Sequence, residues 1–123
     1  MTTLANMVRN NVTINNDTPD MATEDRVPLL AGDIILAGSD GFFDNMWDDE
    51  IQTYCERLTK QTWSSEREML SKLAEELCTK AALNSLDLSF KSPFAVHSIR
   101  AGYSYHGGKP DDTTVVASKA VPE

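Results

Sequence analysis

The segment that decides the fold reads GDIILAGSDGFFD and spans residues 32–44. Its apolar run, residues 34–37, is short and β-branched at its start, which is typical of a strand buried on both faces. We therefore expect a strand over about 33–39. Asp40 and Gly41 follow it directly, and because Gly41 can take a positive φ, the sequence predicts a sharp turn there. The Asp40 carboxylate would lie at the wet rim of a sheet, since burying an unpaired charge is costly.

A second segment, GGKPDDTTVVA at residues 107–117, has the opposite order, with glycines and paired acids first and a β-branched strand, about 113–118, after them. If the two strands are antiparallel neighbours, Asp40, Asp111 and Asp112 converge at one edge of the sheet. Carboxylate oxygens of that kind suit Mg²⁺ or Mn²⁺ rather than zinc. The alternative is that these residues are ordinary turn acids, and the spacing alone favours that alternative.

Together with Ser92-Pro93-Phe94-Ala95, the two segments resemble the C-terminal part of the catalytic domain of type 2C, metal-dependent serine/threonine protein phosphatases. The resemblance is strongest to the branch with small mitochondrial and plastid phosphatases, and it runs from about residue 17 to residue 117 with the motifs in order. It implies an α+β fold, part of an αββα sandwich of antiparallel sheets with flanking helices. It also implies that Asp40 and Asp111 are ligands of the second metal, Mg²⁺ or Mn²⁺, and that Asp112 stands beside that metal. The implied reaction is hydrolysis of phosphoserine or phosphothreonine by a metal-activated water.

Composition narrows the classes of partner. A chain of 123 residues is one domain or a piece of one, and its formal charge of −8 argues against binding nucleic acid or an anionic membrane. No apolar run approaches the ~20 residues of a membrane-spanning helix, and the N-terminus lacks a secretory signal. We therefore expect an intracellular protein, cytoplasmic or mitochondrial. Residues 1–26 are polar and predict a partly mobile lead-in, with a short strand at Val12–Ile14 as one option, before a phosphatase-like domain at 27–123.

Helical periodicity begins after residue 44. Apolar residues recur at i, i+3, i+4 and i+7 over about 48–60, and a second stripe covers about 66–83 behind a capping box at Ser65 and Glu68. The short polar link between them predicts an antiparallel helix pair on one face of the sheet. Cys55 and Cys78 lie on these stripes, which favours reduced, buried thiols over a disulfide or a metal pair.

A short helix is predicted over 93–101, with Ser92 as its N-cap and Gly102 just past its end. His97 lies within it and His106 in the loop before the glycines. Either could bind metal or move protons, although a structural role is more common for a lone histidine. His106 is the better candidate because its loop leads into Asp111. Residues 40–50 lack the alternating oxygen ligands of a calcium loop, and neither a Walker motif nor a serine elbow is present.

Two elements of the family's catalytic site are absent from the sequence. In the family an earlier Asp-Gly motif supplies the acid that bridges both metals, and an earlier arginine holds the phosphate; the only Asp-Gly here is Asp40-Gly41. The sequence therefore predicts a second-metal half-site that is inactive alone. The expected partners are a phosphoprotein substrate and either the missing N-terminal half or a chain covering the exposed sheet edge. The alternative function is a non-catalytic, phosphatase-like interaction module.

Overall fold

The computed structural model describes residues 5–6 and 18–123. The strands are β1 (Ala5–Asn6), β2 (Ile34–Gly38) and β3 (Val115–Lys119). The helices are α1 (Asp40–Phe43), α2 (Asp48–Thr59), α3 (Glu66–Leu86) and α4 (Pro93–Arg100), with a 3₁₀ turn at Pro19–Met21. The structure is therefore α+β, as predicted. The strand proposed at Val12–Ile14 lies outside the described residues.

The sheet has the order β1-β2-β3. β2 and β3 are antiparallel, with Ile34 opposite Lys119 and Gly38 opposite Val115, which confirms the predicted strand pair. β1 pairs with β2 in parallel and was not predicted. The antiparallel register brings the residues after β2 beside those before β3, and this places the candidate site.

One face of the sheet and the helices α1–α3 enclose a single core. The inward residues of β2, Ile34 and Leu36, are almost fully buried. They pack with the apolar faces of α2 and α3, which contribute Ile51, Cys55, Leu58, Met69, Leu73, Leu77 and Ala81. Both long helices therefore lie on the same face of the sheet, because their apolar stripes are buried from water only there.

Polar contacts show that α2 and α3 are antiparallel. Arg57 donates to Glu76 at 2.8 Å, and Asn84 donates to Glu50 at 3.3 Å, so that residues later in α2 face residues earlier in α3. α3 continues three residues beyond the predicted end. Along the described residues, no helix combines the length and the apolar character needed to cross a bilayer.

The helix ends follow the predicted caps with one difference. Ser65 Oγ accepts from the Glu68 amide at 3.1 Å, but the Glu68 carboxylate accepts from the Ser64 amide at 3.2 Å instead of closing the box on Ser65. In α4, Ser92 Oγ accepts from the Ala95 amide at 3.0 Å. Gly102 follows with a φ of +90°, as expected for a residue just past a helix end.

Both cysteines are free thiols, as predicted. Burial, with a smaller contribution from the charge of Glu56, raises the pKa of the Cys55 thiol to about 11. Cys78 is only partly buried and donates from Sγ to the Thr113 carbonyl at 3.4 Å.

The two thiols should react at different rates. In the folded protein near pH 8, iodoacetamide should modify Cys78 well before Cys55, because only the exposed thiolate reacts. Mass spectrometry of timed samples measures both rates, and in urea the two should become equal. The unfolded Cys55 thiol loses its proton at lower pH than the folded one, so this group also lowers the free energy of unfolding as pH rises from ~9 towards ~11. Equal rates in the native protein would contradict the buried position of Cys55.

Candidate metal centre

The segment that follows β2, which includes α1, touches the loop before β3 at Gly41. A Cβ built on Gly41 would lie 2.1 Å from the Asp112 carbonyl oxygen and 3.3 Å from the Asp111 Cβ. The residues Asp40, Asp111 and Asp112 therefore belong to one edge of the sheet, as the strand order predicted. The predicted reason for the glycine was wrong: Gly41 lies in the one-turn helix α1 and is not among the positive-φ glycines, Gly32, Gly102 and Gly107. It is required for the close backbone approach and not for a turn.

Ser39 continues the strand pairing beyond β2 into the loop. Its amide donates to the Thr114 carbonyl at 3.0 Å, and its Oγ accepts from the Thr114 amide at 3.0 Å. The same hydroxyl donates to the Asp112 carbonyl at 3.2 Å. Ser39 is thus hydrogen-bonded to both Asp112 and Thr114, which limits how far the segment after β2 and the loop before β3 can separate.

Asn45 ties the same loops together from the core side. Its side chain is fully buried. Nδ2 donates to the carbonyls of Gly41 and Lys109, each at 2.8 Å, while Oδ1 accepts from the Lys109 amide at 2.8 Å. One amide side chain therefore satisfies backbone groups on both loops. No role was predicted for Asn45, because beside Asp44 it looks like an ordinary polar residue of a loop.

Asn84 and Gly108 hold this arrangement against α3. Asn84 Nδ2 donates to the Asn45 carbonyl at 2.9 Å. A Cβ on Gly108 would lie 1.9 Å from the Asn84 carbonyl oxygen, so only glycine fits there. The Gly108 amide donates to the Asp87 carbonyl at 2.9 Å. The glycine loop is therefore seated directly on the end of α3.

The side chains at this edge offer carboxylate oxygens, the type of ligand that Mg²⁺ and Mn²⁺ prefer. Asp40 is half-buried, and Asp111 and Asp112 are exposed, so carboxylate oxygens are accessible. One Asp111 oxygen, Oδ1, accepts from the Asp112 amide at 2.8 Å. In the part of the chain that the structure describes, no three His, Cys, Asp or Glu side chains are grouped so that they could hold a metal. An ion here would complete its coordination with water or with groups from outside these residues, as Mg²⁺ commonly does.

Known proteins are similar to this chain in sequence and in fold. The chain is 40% identical over 103 residues to the protein phosphatase PTC7 homolog fig of Drosophila sechellia, covering 83% of this chain and 32% of the relative. It is 36% identical to the PTC7 homolog of Danio rerio and 34% identical to the 5-azacytidine resistance protein azr1 of Schizosaccharomyces pombe, covering 84% and 91% of this chain and 33% and 38% of those proteins. The X-ray structure of the photosystem II phosphatase PBCP superposes with a TM-score of 0.71 at 28% identity, covering 89% of this chain and 44% of that one. No family model matches the chain.

The chain is a relative of the PTC7-like, type 2C protein phosphatases. This confirms the resemblance seen in the sequence and the fold class that it implied. The chain spans about a third of the length of the curated relatives it matches. Type 2C phosphatases are metal-dependent as a family, which agrees with the carboxylate chemistry of this edge.

The loop that carries Asp111 and Asp112 also contains a cation, Lys109. Lys109 Nζ lies 3.7 Å from Asp44 Oδ2 and 4.3 Å from the centre of the Phe94 ring. The Lys109 ammonium therefore interacts with the Asp44 carboxylate and the Phe94 ring. Lys109 precedes the acid pair, Asp111 and Asp112, by two residues. His97 and His106 are both exposed and border cavities on either side of α4. The structure places neither histidine in a group that could hold a metal within the described residues.

Proposed function

We propose that residues 27–123 form the C-terminal half of a metal-dependent serine/threonine protein phosphatase domain. In this proposal Asp40 and Asp111 are ligands of one Mg²⁺ or Mn²⁺ ion, and Asp112 lies beside it as a weaker ligand. The observation that carries the proposal is the contact of Gly41 with Asp111 and Asp112, because it brings acids 71 residues apart in the chain to one edge. Ordinary turn acids would not require two loops to meet so closely.

The chain's own residues would prepare the site for the ion. When bound, the metal supplies an activated water for attack on phosphorus and neutralises charge on the phosphate. The carboxylates of Asp40 and Asp111 would provide hard oxygen donors for it. Ser39 and Asn45 keep the two loops in register through the hydrogen bonds described above. The backbone that carries these acids is therefore held in place before an ion binds.

The partners in this proposal are phosphoproteins and the rest of the catalytic domain. The sequence holds neither the earlier Asp-Gly motif nor the earlier arginine of the family, so the chain alone is expected to be inactive. The sheet face opposite the helices exposes Ala37 and Val116, the latter at 59%, and would be covered by the missing half or by a partner chain. The expected compartment is intracellular, cytoplasmic or mitochondrial.

Mn²⁺ binding tests the half-site directly. Titration of the ¹⁵N-labelled chain with Mn²⁺ should broaden the amide signals of residues 39–41 and 107–113 first, because paramagnetic relaxation falls steeply with distance. Binding should be weak, since the described residues provide fewer than three grouped ligands. Asp40→Asn should abolish it, because the substitution removes a charged oxygen donor.

Glu75→Gln is the matched control, since Glu75 is an exposed acid on α3. This variant should bind Mn²⁺ as the wild type does. Broadening that spares residues 39–41 and 107–113, or that survives in Asp40→Asn, would refute the metal assignment. It would favour the alternative of a non-catalytic interaction module.

A further inference from the structure

A groove beside α4 differs in charge from the rest of the chain. It lies between the α3–α4 loop, one side of α4 and the loop that carries His106, and its volume is about 640 Å³. Its apolar lining includes Leu88, Phe90 and Ile99. Lys91, Arg100 and His106 also line it, and among the described residues no Asp or Glu does. In a chain with 19 acidic and 11 basic residues, this is a local excess of cations.

The groove is held open by hydrogen bonds rather than by chance loop placement. Ser92 Oγ donates to the Gly107 carbonyl at 2.7 Å in a buried position. Tyr105 donates from its hydroxyl to the Gly108 carbonyl at 2.9 Å, and its ring packs edge-on against Phe94. A Cβ on Gly107 would lie 2.8 Å from the Leu88 Cα, so the two walls meet at the glycine. Walls fixed in this way form a site that needs little ordering on binding.

Two apolar side chains at the groove remain in water. Leu88 is 85% exposed and Ile99 is 53% exposed. No ion pair within the described residues holds Lys91, Arg100 or His106. The nearest acid in sequence, Asp87, is committed elsewhere: its Oδ1 accepts from the amide and the hydroxyl of Ser89 at 2.9 and 2.8 Å. Apolar surface and unpaired cations therefore occur together, which is the pattern expected of a binding surface.

We propose that this groove, lined by Leu88, Phe90, Ile99, Lys91, Arg100 and His106, is a docking site for an acidic peptide segment with bulky apolar side chains. The apolar side chains of the peptide would cover Leu88 and Ile99, and its carboxylates would face Lys91 and Arg100, with the His106 ring beside them. Charge complementarity selects this occupant. A nucleic acid or an anionic membrane would extend over the acidic surface of the whole chain and be repelled. A short peptide meets mainly the cations within a Debye length of about 8 Å.

Peptide binding to this chain, without metal, tests the proposal independently of the phosphatase assignment. The probe is a fluorescent peptide with the core Asp-Glu-Leu-Phe-Glu-Asp, followed by fluorescence anisotropy and by amide shifts of the ¹⁵N-labelled chain. We expect saturable binding, with shifts centred on residues 88–107, that weakens as salt is added. A peptide with lysine in place of every acid, and one with serine in place of Leu-Phe, should bind at least about tenfold more weakly.

Matched variants locate the site. Lys91→Glu combined with Arg100→Glu should weaken binding by about tenfold or more, whereas Lys60→Glu combined with Arg67→Glu should leave it within about twofold. Both pairs change the charge equally, but Arg67 lies in the first turn of α3, about 28 Å along the helix from the groove. Leu88→Ser should weaken binding, and Leu83→Ser, at another exposed leucine, should not. Each substituted residue is exposed, and far-ultraviolet circular dichroism of each variant checks that it is folded.

Three results would overturn the proposal. One is no saturable binding of the acidic probe by the wild-type chain. Another is equal weakening by the groove pair and the control pair, which would show a general charge effect. The third is binding to phosphatidylserine vesicles without binding to the peptide, which would assign the groove to a membrane. None of these results bears on Asp40 and Asp111, so the metal proposal stands or falls separately.

Discussion

Asn45→Ala should be among the most destabilising single changes in this chain. It would leave the Gly41 carbonyl and both backbone groups of Lys109 without their buried partner. An unsatisfied buried polar group costs about 1–3 kcal/mol, so we expect a loss of about 3–5 kcal/mol in the free energy of unfolding if water partly replaces the amide. Urea denaturation followed by circular dichroism measures the change.

An isosteric variant separates lost volume from lost donors. In Asn45→Asp, one carboxylate oxygen can still accept from the Lys109 amide, but the other faces the carbonyls of Gly41 and Lys109 with no proton to donate. The carboxyl should therefore take up a proton more readily when folded than when unfolded, and the variant should gain stability relative to wild type as pH falls. Ser85→Ala is the control, because the hydroxyl of buried Ser85 donates to the Ala82 carbonyl in its own helix. It should cost about 1 kcal/mol. An Asn45→Ala loss no larger than the Ser85→Ala loss would contradict the bridging role.

The strand pair and the helices could be predicted because their signals are local. The β-branched runs before Asp40 and after Asp112 predicted the antiparallel pairing of β2 and β3, and a 3.6-residue apolar period predicted α2 and α3. Cap residues placed the start of α4 at Pro93 and its end before Gly102. The resemblance to one branch of the phosphatase family could also be recognised from the sequence, because it rests on short motifs in a fixed order.

What the sequence did not reveal depends on contacts between distant residues. Asn45 and Lys109 are 64 residues apart, and no local pattern announces their hydrogen bonds. Gly41 looked like a turn glycine because Asp-Gly is common in turns, whereas its real constraint is the Asp112 carbonyl across the sheet edge. The groove beside α4 could not be predicted for the same reason, because its lining comes from three separate segments.

Under the proposed function, adding a polypeptide that carries the family's N-terminal catalytic motifs should produce the largest change of all, in catalytic rate. Alone, the chain should hydrolyse p-nitrophenyl phosphate or a phosphoserine peptide at least ~10⁴-fold more slowly than a complete domain. Loss of one electrostatic element of an active site typically costs ~10²–10³ in rate, and here both the bridging acid and the phosphate-binding arginine are lacking. Addition of a polypeptide with the earlier Asp-Gly motif and arginine of a relative should restore Mn²⁺-dependent turnover. Phosphate release with and without that polypeptide measures the effect.

Three variants show whether the restored activity belongs to this chain. Asp40→Asn and Asp111→Asn should each remove it, because each deletes a charged donor to the same ion. Glu56→Gln, at an exposed position on α2, should retain it. Strong Mn²⁺-dependent turnover by the chain alone, surviving repurification, would show that the absent residues are dispensable. A chain that stays inactive when a folded complementing part is bound to it would instead support the interaction module, because assembly would then have occurred without creating a catalytic centre.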